Sequence, residues 1–273
     1  MRQGSRSPGG LRVASVALCL CCAAAGASAG VDTSPQVIKV GVSSGPQAEI
    51  MEEVKGIAAN KGLVLQVVHF DDESQLDAAL DAGRLDANSF QDLPFLDQQK
   101  RAHGYHLVDV AYTVTLPLAF YSKKLTSLRG LKPGDTVALP KTPADCARAL
   151  ILLQNYGFIT FPDTAGLHAT PRDISTNPRK LKFITLAAAQ LPGALDTVAF
   201  AAIPWAEAEQ AGLQPARDAI GMEDARSPYA DVIAVRAQDK DQPWVAQLIA
   251  AYHSEPIKHY ILTHYQDSVR RPW

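Results

Sequence analysis

The sequence predicts an α/β fold. Three observations lead there. Short β-rich runs alternate with segments whose apolar residues recur at helical spacing. The composition, 47% hydrophobic and 20% charged over 273 residues, is that of a globular protein with a sizeable core. The 18 glycines and 18 prolines are ordinary for this length and exclude collagen-like or disordered readings.

The elements follow in order. Val37–Val42 is β-rich and reads as a strand, and residues 47–61 place Ile50, Val54, Ile57 and Ala58 on one helical face. Residues 64–70 form a second strand, and residues 74–82 a helix with Leu76, Ala79 and Leu80 inward and Gly83 as its stop. A short strand over 86–90 and a helix over 93–103 complete the first unit. Strands over 107–112 and 118–121 flank Pro117, a strand over 135–139 precedes a helix from Thr142 to Tyr156, and further strands fall at 183–186 and 198–202. A strand over 232–235 and helices over 244–253 and 257–265 close the chain. Strand–helix alternation predicts mostly parallel sheets covered on both faces. No internal repeat or linker-like stretch appears, so the chain is expected to form two lobes and to cross between them twice: 31–112 plus 229–273, and 113–228. A cleft between lobes is a common ligand site.

The first 29 residues are expected to leave. Arg2, Arg6 and Arg12 open the chain without an acid, an apolar run over 13–25 follows, and Ala27-Ser28-Ala29 supplies the small residues of a cleavage site. The apolar run is too short to span a bilayer. Cleavage after Ala29 leaves 244 residues and takes the net charge from −2 to −5, which argues against nucleic-acid binding. Cys19, Cys21 and Cys22 lie in this leader, so only Cys146 survives and no internal disulfide can form. The Cys19–Cys22 C-x-x-C pattern is misplaced for redox or metal work. Leader cysteines can also accept lipid, but Leu18, Leu20 and Cys21 precede them where a small residue is usual. A periplasmic protein without a lipid anchor is therefore the reading, with a lipid-anchored protein as the alternative.

Several patterns bear on chemistry. Gly41-Val42-Ser43-Ser44-Gly45 matches G-x-S-x-G between a strand and a helix, the context of a nucleophile elbow. It sits on the first strand of the mature chain, with no upstream oxyanion loop, and Pro46 removes a backbone donor. A hydrolase using Ser43 is thus the lesser alternative, and a ligand-facing turn at a strand's carboxyl end the preferred one. The seven histidines lack metal-ligand spacing, and no phosphate-binding or dinucleotide-binding motif appears, so neither a metal nor a cofactor is expected. Thr142-Pro143-Ala144-Asp145 reads as a helix start, with Arg148 three residues after Asp145. That spacing permits a local ion pair; it also permits an arginine beside a helix start to grip a carboxylate. Phe90 and Phe95 suit either core packing or a pocket wall.

The blocks VIKVGVSSG, LDANSFQDLPFLDQQ, YSKKLTSLRGLKPGDTVALP, RALILLQNYG, AAAQLPGALD and MEDARSPYADVIAV resemble the NlpA-type methionine-binding lipoproteins, over nearly the whole mature chain. The resemblance implies a two-lobed type II periplasmic-binding fold and a monomer that delivers a small amino acid, usually methionine, to an inner-membrane ABC permease and its ATPase. It implies no catalysis. Position by position, Arg148 falls on the carboxylate clamp, Phe90 on an aromatic contact, and Phe95 where an aromatic is usual. Other positions depart from the family: Asp92 stands where a histidine is common, Glu73 where a tyrosine is common, and Asp145, Pro204 and Asp231 at asparagine positions. On this reading Arg148 holds the ligand carboxylate, Asp231 its ammonium, and Phe90 and Phe95 its side chain. The four acids leave room for an alternative within the same transport role, a more polar or cationic amino acid or a short peptide.

Overall fold

The computed structural model describes residues 36–273; the predicted leader, its cysteines and its cleavage site lie outside them. The chain runs β1 (Val37–Ser43), α1 (Pro46–Ala59), β2 (Val64–Phe70), α2 (Leu76–Asp81), β3 (Ala87–Asp92), α3 (Leu93–His103) and β4 (Leu107–Tyr112). It continues with β5 (Ala119–Tyr121), β6 (Thr136–Pro140), α4 (Pro143–Asn155), β7 (Lys182–Leu186), α5 (Leu191–Ala194), β8 (Phe200–Ile203), α6 (Trp205–Gln210), α7 (Pro215–Asp218) and β9 (Ala219–Met222). It ends with β10 (Asp231–Arg236), α8 (Pro243–Tyr252) and α9 (Glu255–Tyr265).

These strands form two five-stranded sheets, ordered β2-β1-β3-β10-β4 and β7-β6-β8-β5-β9. Each is mixed. β1 pairs in parallel with β2 and β3, and β6 with β7 and β8, as strand–helix alternation requires. β10 and β5 are the exceptions: each enters its sheet antiparallel to both neighbours. Both are the first strands laid down after the chain passes from one sheet to the other. The strand β9 and the helix α6 carry no sequence signal strong enough to predict them; β9 is a four-residue strand at a sheet edge.

Each sheet buries an apolar face on both sides, as alternating side chains dictate. In β10, Ile233 and Val235 join the cluster under α1, α8 and α9, while Val232 and Ala234 join the one under α2 and α3. In β5, Phe120 packs toward α4, and Ala119 and Tyr121 toward the opposite side. Gly41 is required here. A Cβ at this position would lie 2.5 Å from Leu85 Cδ1 and 2.6 Å from Leu76 Cδ2, so its absence lets α2 approach the sheet. Among the described residues no helix is long and apolar enough to cross a membrane.

The two passages between sheets run side by side. Thr113 N donates to Asp231 O (2.8 Å), Asp231 N to Val114 O (2.8 Å) and Glu223 N to Leu118 O (3.2 Å). Thr113 and Thr115 are wholly buried and Glu223 nearly so. Polar side chains on these passages must therefore find partners inside the protein.

Candidate functional site

The carboxyl ends of β1, β3 and β6 and the start of β10 hold most of the predicted residues. Gly45, with φ +88°, caps α1 ahead of Pro46, and this turn sets Gln47 in the first helical turn. Gln47 Nε2 donates to Asp231 Oδ2 at 3.0 Å, and both residues are buried. The other Asp231 oxygen has no hydrogen-bond partner among the described residues. Asp231 stands opposite Asp92 in the β10–β3 ladder. Burial first, and then the Asp92 charge, pushes the Asp231 pKa well above the usual carboxylate range. Gln47 and the more distant Arg148 pull the other way.

Asp92 is also the N-cap of α3, its Oδ1 accepting from Phe95 N at 2.8 Å. Burial raises its pKa; the Phe95 amide and the Arg148 charge oppose that rise, and Glu223 and Asp145 reinforce it. Asp92 thus lies in the first sheet and feels charges from α4 and from the passage that follows β9.

Arg148 does not pair with Asp145. Its Nε lies 2.8 and 2.9 Å from the two Glu223 oxygens, and its Nη2 lies 2.5 Å from Glu223 Oε2. Nη2 also donates to Leu116 O at 2.8 Å, and the guanidinium carbon sits 5.0 Å from the Tyr229 ring centroid. Side-chain exposure is 13% for Arg148 and 5% for Glu223, so this is an ion pair largely removed from water. Burial works against the Arg148 charge, yet the Glu223 carboxylate outweighs it and holds the pKa above its ordinary value. The Nε/Nη2 edge of the guanidinium is occupied. Nη1 has no hydrogen-bond partner among the described residues. Glu223 also accepts from Leu118 N at 2.9 Å, which ties both crossings to the arginine.

Asp145 takes a different partner. Thr142 occupies the N-cap position of α4 as its sequence predicts, but its hydroxyl donates to Asp145 Oδ2 (2.6 Å) rather than capping the helix. Pro204 is the N-cap of α6 and offers no amide donor. In the first turn of that helix, burial and the Asp145 charge raise the Glu207 pKa. Phe90 is 5% exposed and belongs to the apolar cluster of the first sheet, with Phe95 edge-on at 6.0 Å between ring centroids. Phe95 is half-buried at the margin of that cluster.

Glu73 lies in a one-turn 3-10 helix after β2. Solvent reaches it, while surrounding protein raises its pKa and the adjoining Ser43 hydroxyl lowers it. Ser43 and Glu73 line an open cavity of about 470 Å³ together with Ser44, Phe70, Asp71, Asp72 and Ser74. Ser43 Oγ is shut from solvent and makes no close hydrogen bond among the described residues. The hydroxyl of Tyr229, a residue 5% exposed, is likewise unpartnered.

The structure therefore gathers Asp92, Asp145, Arg148 and Asp231 into one field of interacting charges and sets Glu73 beside it. Glu223, Gln47 and Tyr229 are members that sequence reasoning missed. Glu223 falls inside a block recognisable by its resemblance to relatives, but an acid between Met222 and Asp224 carries no local sign of its partner.

Residues 38–273 match the family described as NlpA lipoprotein. The chain belongs to that family. The NlpA relatives include a protein from Escherichia coli K12 named D-methionine-binding lipoprotein MetQ, 42% identical over 229 residues, covering 83% of this chain and 84% of that one. Outer membrane lipoprotein 3 of Mannheimia haemolytica is 42% identical over 237 residues, covering 86% and 90%. Among solved structures, a nutrient binding protein from Burkholderia cenocepacia bound to methionine is 45% identical, with a TM-score of 0.72 over 86% of this chain and 100% of that one. A methionine binding protein, MetQ, is 40% identical with a TM-score of 0.71, covering 88% and 99%. The two-lobed α/β architecture expected from the sequence is that of these NlpA relatives; against the mostly parallel sheets expected, each sheet of this chain takes one strand, β10 or β5, antiparallel to both neighbours.

Proposed function

We propose that this chain is the periplasmic solute-binding component of an ABC importer and takes up a small amino acid in the cleft around Arg148 and Asp231. The observation that carries the reading is a pair of opposite charges drawn from the two sheets. Arg148, on α4, keeps Nη1 free for a carboxylate, and Asp231, at the start of β10, keeps one oxygen free for an ammonium. Methionine binding by MetQ and the B. cenocepacia protein supports an amino acid as ligand. The partners are a permease and its ATPase, to which the ligand is handed chemically unchanged. Export through the leader supports the compartment.

Native mass spectrometry of freshly purified mature protein tests this: one retained amino acid per chain is the expected result. Arg148→Ala is expected to lose about 2–5 kcal/mol of binding, roughly 30- to several-thousand-fold in affinity. Conversion of the ligand to a product on the protein, or normal ligand affinity in Arg148→Ala, refutes the proposal.

A further inference from the structure

Resting on that reading, we propose that the ligand is an amino acid with a cationic side chain, an amine or guanidinium, seated at the Ser43–Glu73 cavity while Asp231 holds the α-ammonium. Arg148 is the cation that acts on both Asp92 and Asp231, and Glu223 already engages it through three contacts of 2.9 Å or less. Asp92, Asp145, Asp231 and Glu73 remain. Asp92 is tied to the α3 backbone and Asp145 to Thr142. Asp231 receives only the neutral amide of Gln47. Glu73 takes part in no ion pair among the described residues, and it and Asp92 both act on Asp231. Among the described residues no cation is ion-paired with any of these four acids, so a positively charged ligand group can take the place of the protons that burial otherwise favours there.

One α-ammonium answers Asp231. The α-carboxylate returns a negative charge at Arg148, so a ligand with a neutral side chain leaves the field as acidic as it found it. Two further observations place the second cation. A polar cavity of about 470 Å³ opens at Glu73 and is rimmed by Asp71 and Asp72. Ser43, on its wall, is 4% exposed, and its buried hydroxyl adjoins Glu73 without a close hydrogen bond among the described residues. The Tyr229 hydroxyl is likewise buried and unpartnered, with the Arg148 guanidinium over its ring.

The test uses mature protein freed of retained ligand by dialysis from guanidinium and refolded, with titration calorimetry against both enantiomers of methionine, lysine, ornithine and arginine. A cationic amino acid is expected to bind at least tenfold more tightly than either methionine, with the gap narrowing as salt is raised. In Glu73→Gln the ratio of cationic to methionine affinity is expected to fall at least fivefold. The ratio is read within one variant, so partial misfolding does not distort it. Methionine binding more tightly than every cationic amino acid overturns this inference and leaves the solute-binding reading standing. An unchanged ratio in Glu73→Gln overturns the placement at the Ser43 cavity. Failure of all these ligands to bind at millimolar concentration overturns both readings.

Discussion

Replacing Glu223 by alanine isolates the buried ion pair. The substitution strips Arg148 of its bidentate partner and leaves Leu118 N without an acceptor. With exposures of 13% and 5%, the pair has little solvent to fall back on, so screening does not reduce the effect. Breaking a buried pair by removing one member costs about 3–5 kcal/mol. For a protein of this size each kcal/mol moves Tm by about 2–4 °C, so the loss is about 6–20 °C. Thermal unfolding of ligand-free protein followed by circular dichroism reads it. Glu223→Gln keeps hydrogen-bonding atoms and loses the charge, so it falls between wild type and Glu223→Ala. The double change Arg148→Met with Glu223→Met removes both charges and is expected to be more stable than Glu223→Ala alone, because no uncompensated guanidinium remains. A Tm loss under about 2 °C in Glu223→Ala, or a double variant no better than the single one, refutes the view that Glu223 is the partner that makes a buried Arg148 tolerable.

Two further outcomes follow from the same geometry. Burial and Asp92 raise the Asp231 pKa, so the folded state binds a proton more readily than the unfolded chain and stability falls as pH climbs from the unfolded carboxylate range through the raised value. Asp231→Asn is accordingly expected to stabilise ligand-free protein more at pH 7 than at pH 4 while weakening ligand binding; equal shifts at both pH values in thermal melts refute the assignment. Phe90→Ala, at a residue 5% exposed and packed on Phe95, is expected to cost about 3–5 kcal/mol in urea unfolding without ligand; a cost below about 1 kcal/mol means the ring is not part of the core.

The elements that were legible in the sequence are those stabilised by local pattern. The strand expected over 37–42 runs Val37–Ser43, and the helix expected over 47–61 runs Pro46–Ala59, stopping where Gly62 takes φ +82°. The insertion of β10 between β3 and β4, and of β5 between β8 and β9, left no trace, because a strand's neighbours are chosen by contacts far away in the chain. The same limit governs the site. Spacing offers Arg148 an acid three residues away, and helix geometry makes that pair available. Such pairs on a wet surface contribute only tenths of a kcal/mol. Glu223, 75 residues distant, meets the guanidinium in a dry, bidentate geometry that also satisfies the Leu118 amide. That combination outweighs the local option and leaves Asp145 to Thr142. The identity of the arginine's partner is therefore set by where the chain crosses back between sheets. With Glu223 supplied by that crossing, the Arg148 charge is matched inside the protein by a residue that no local pattern in the sequence points to.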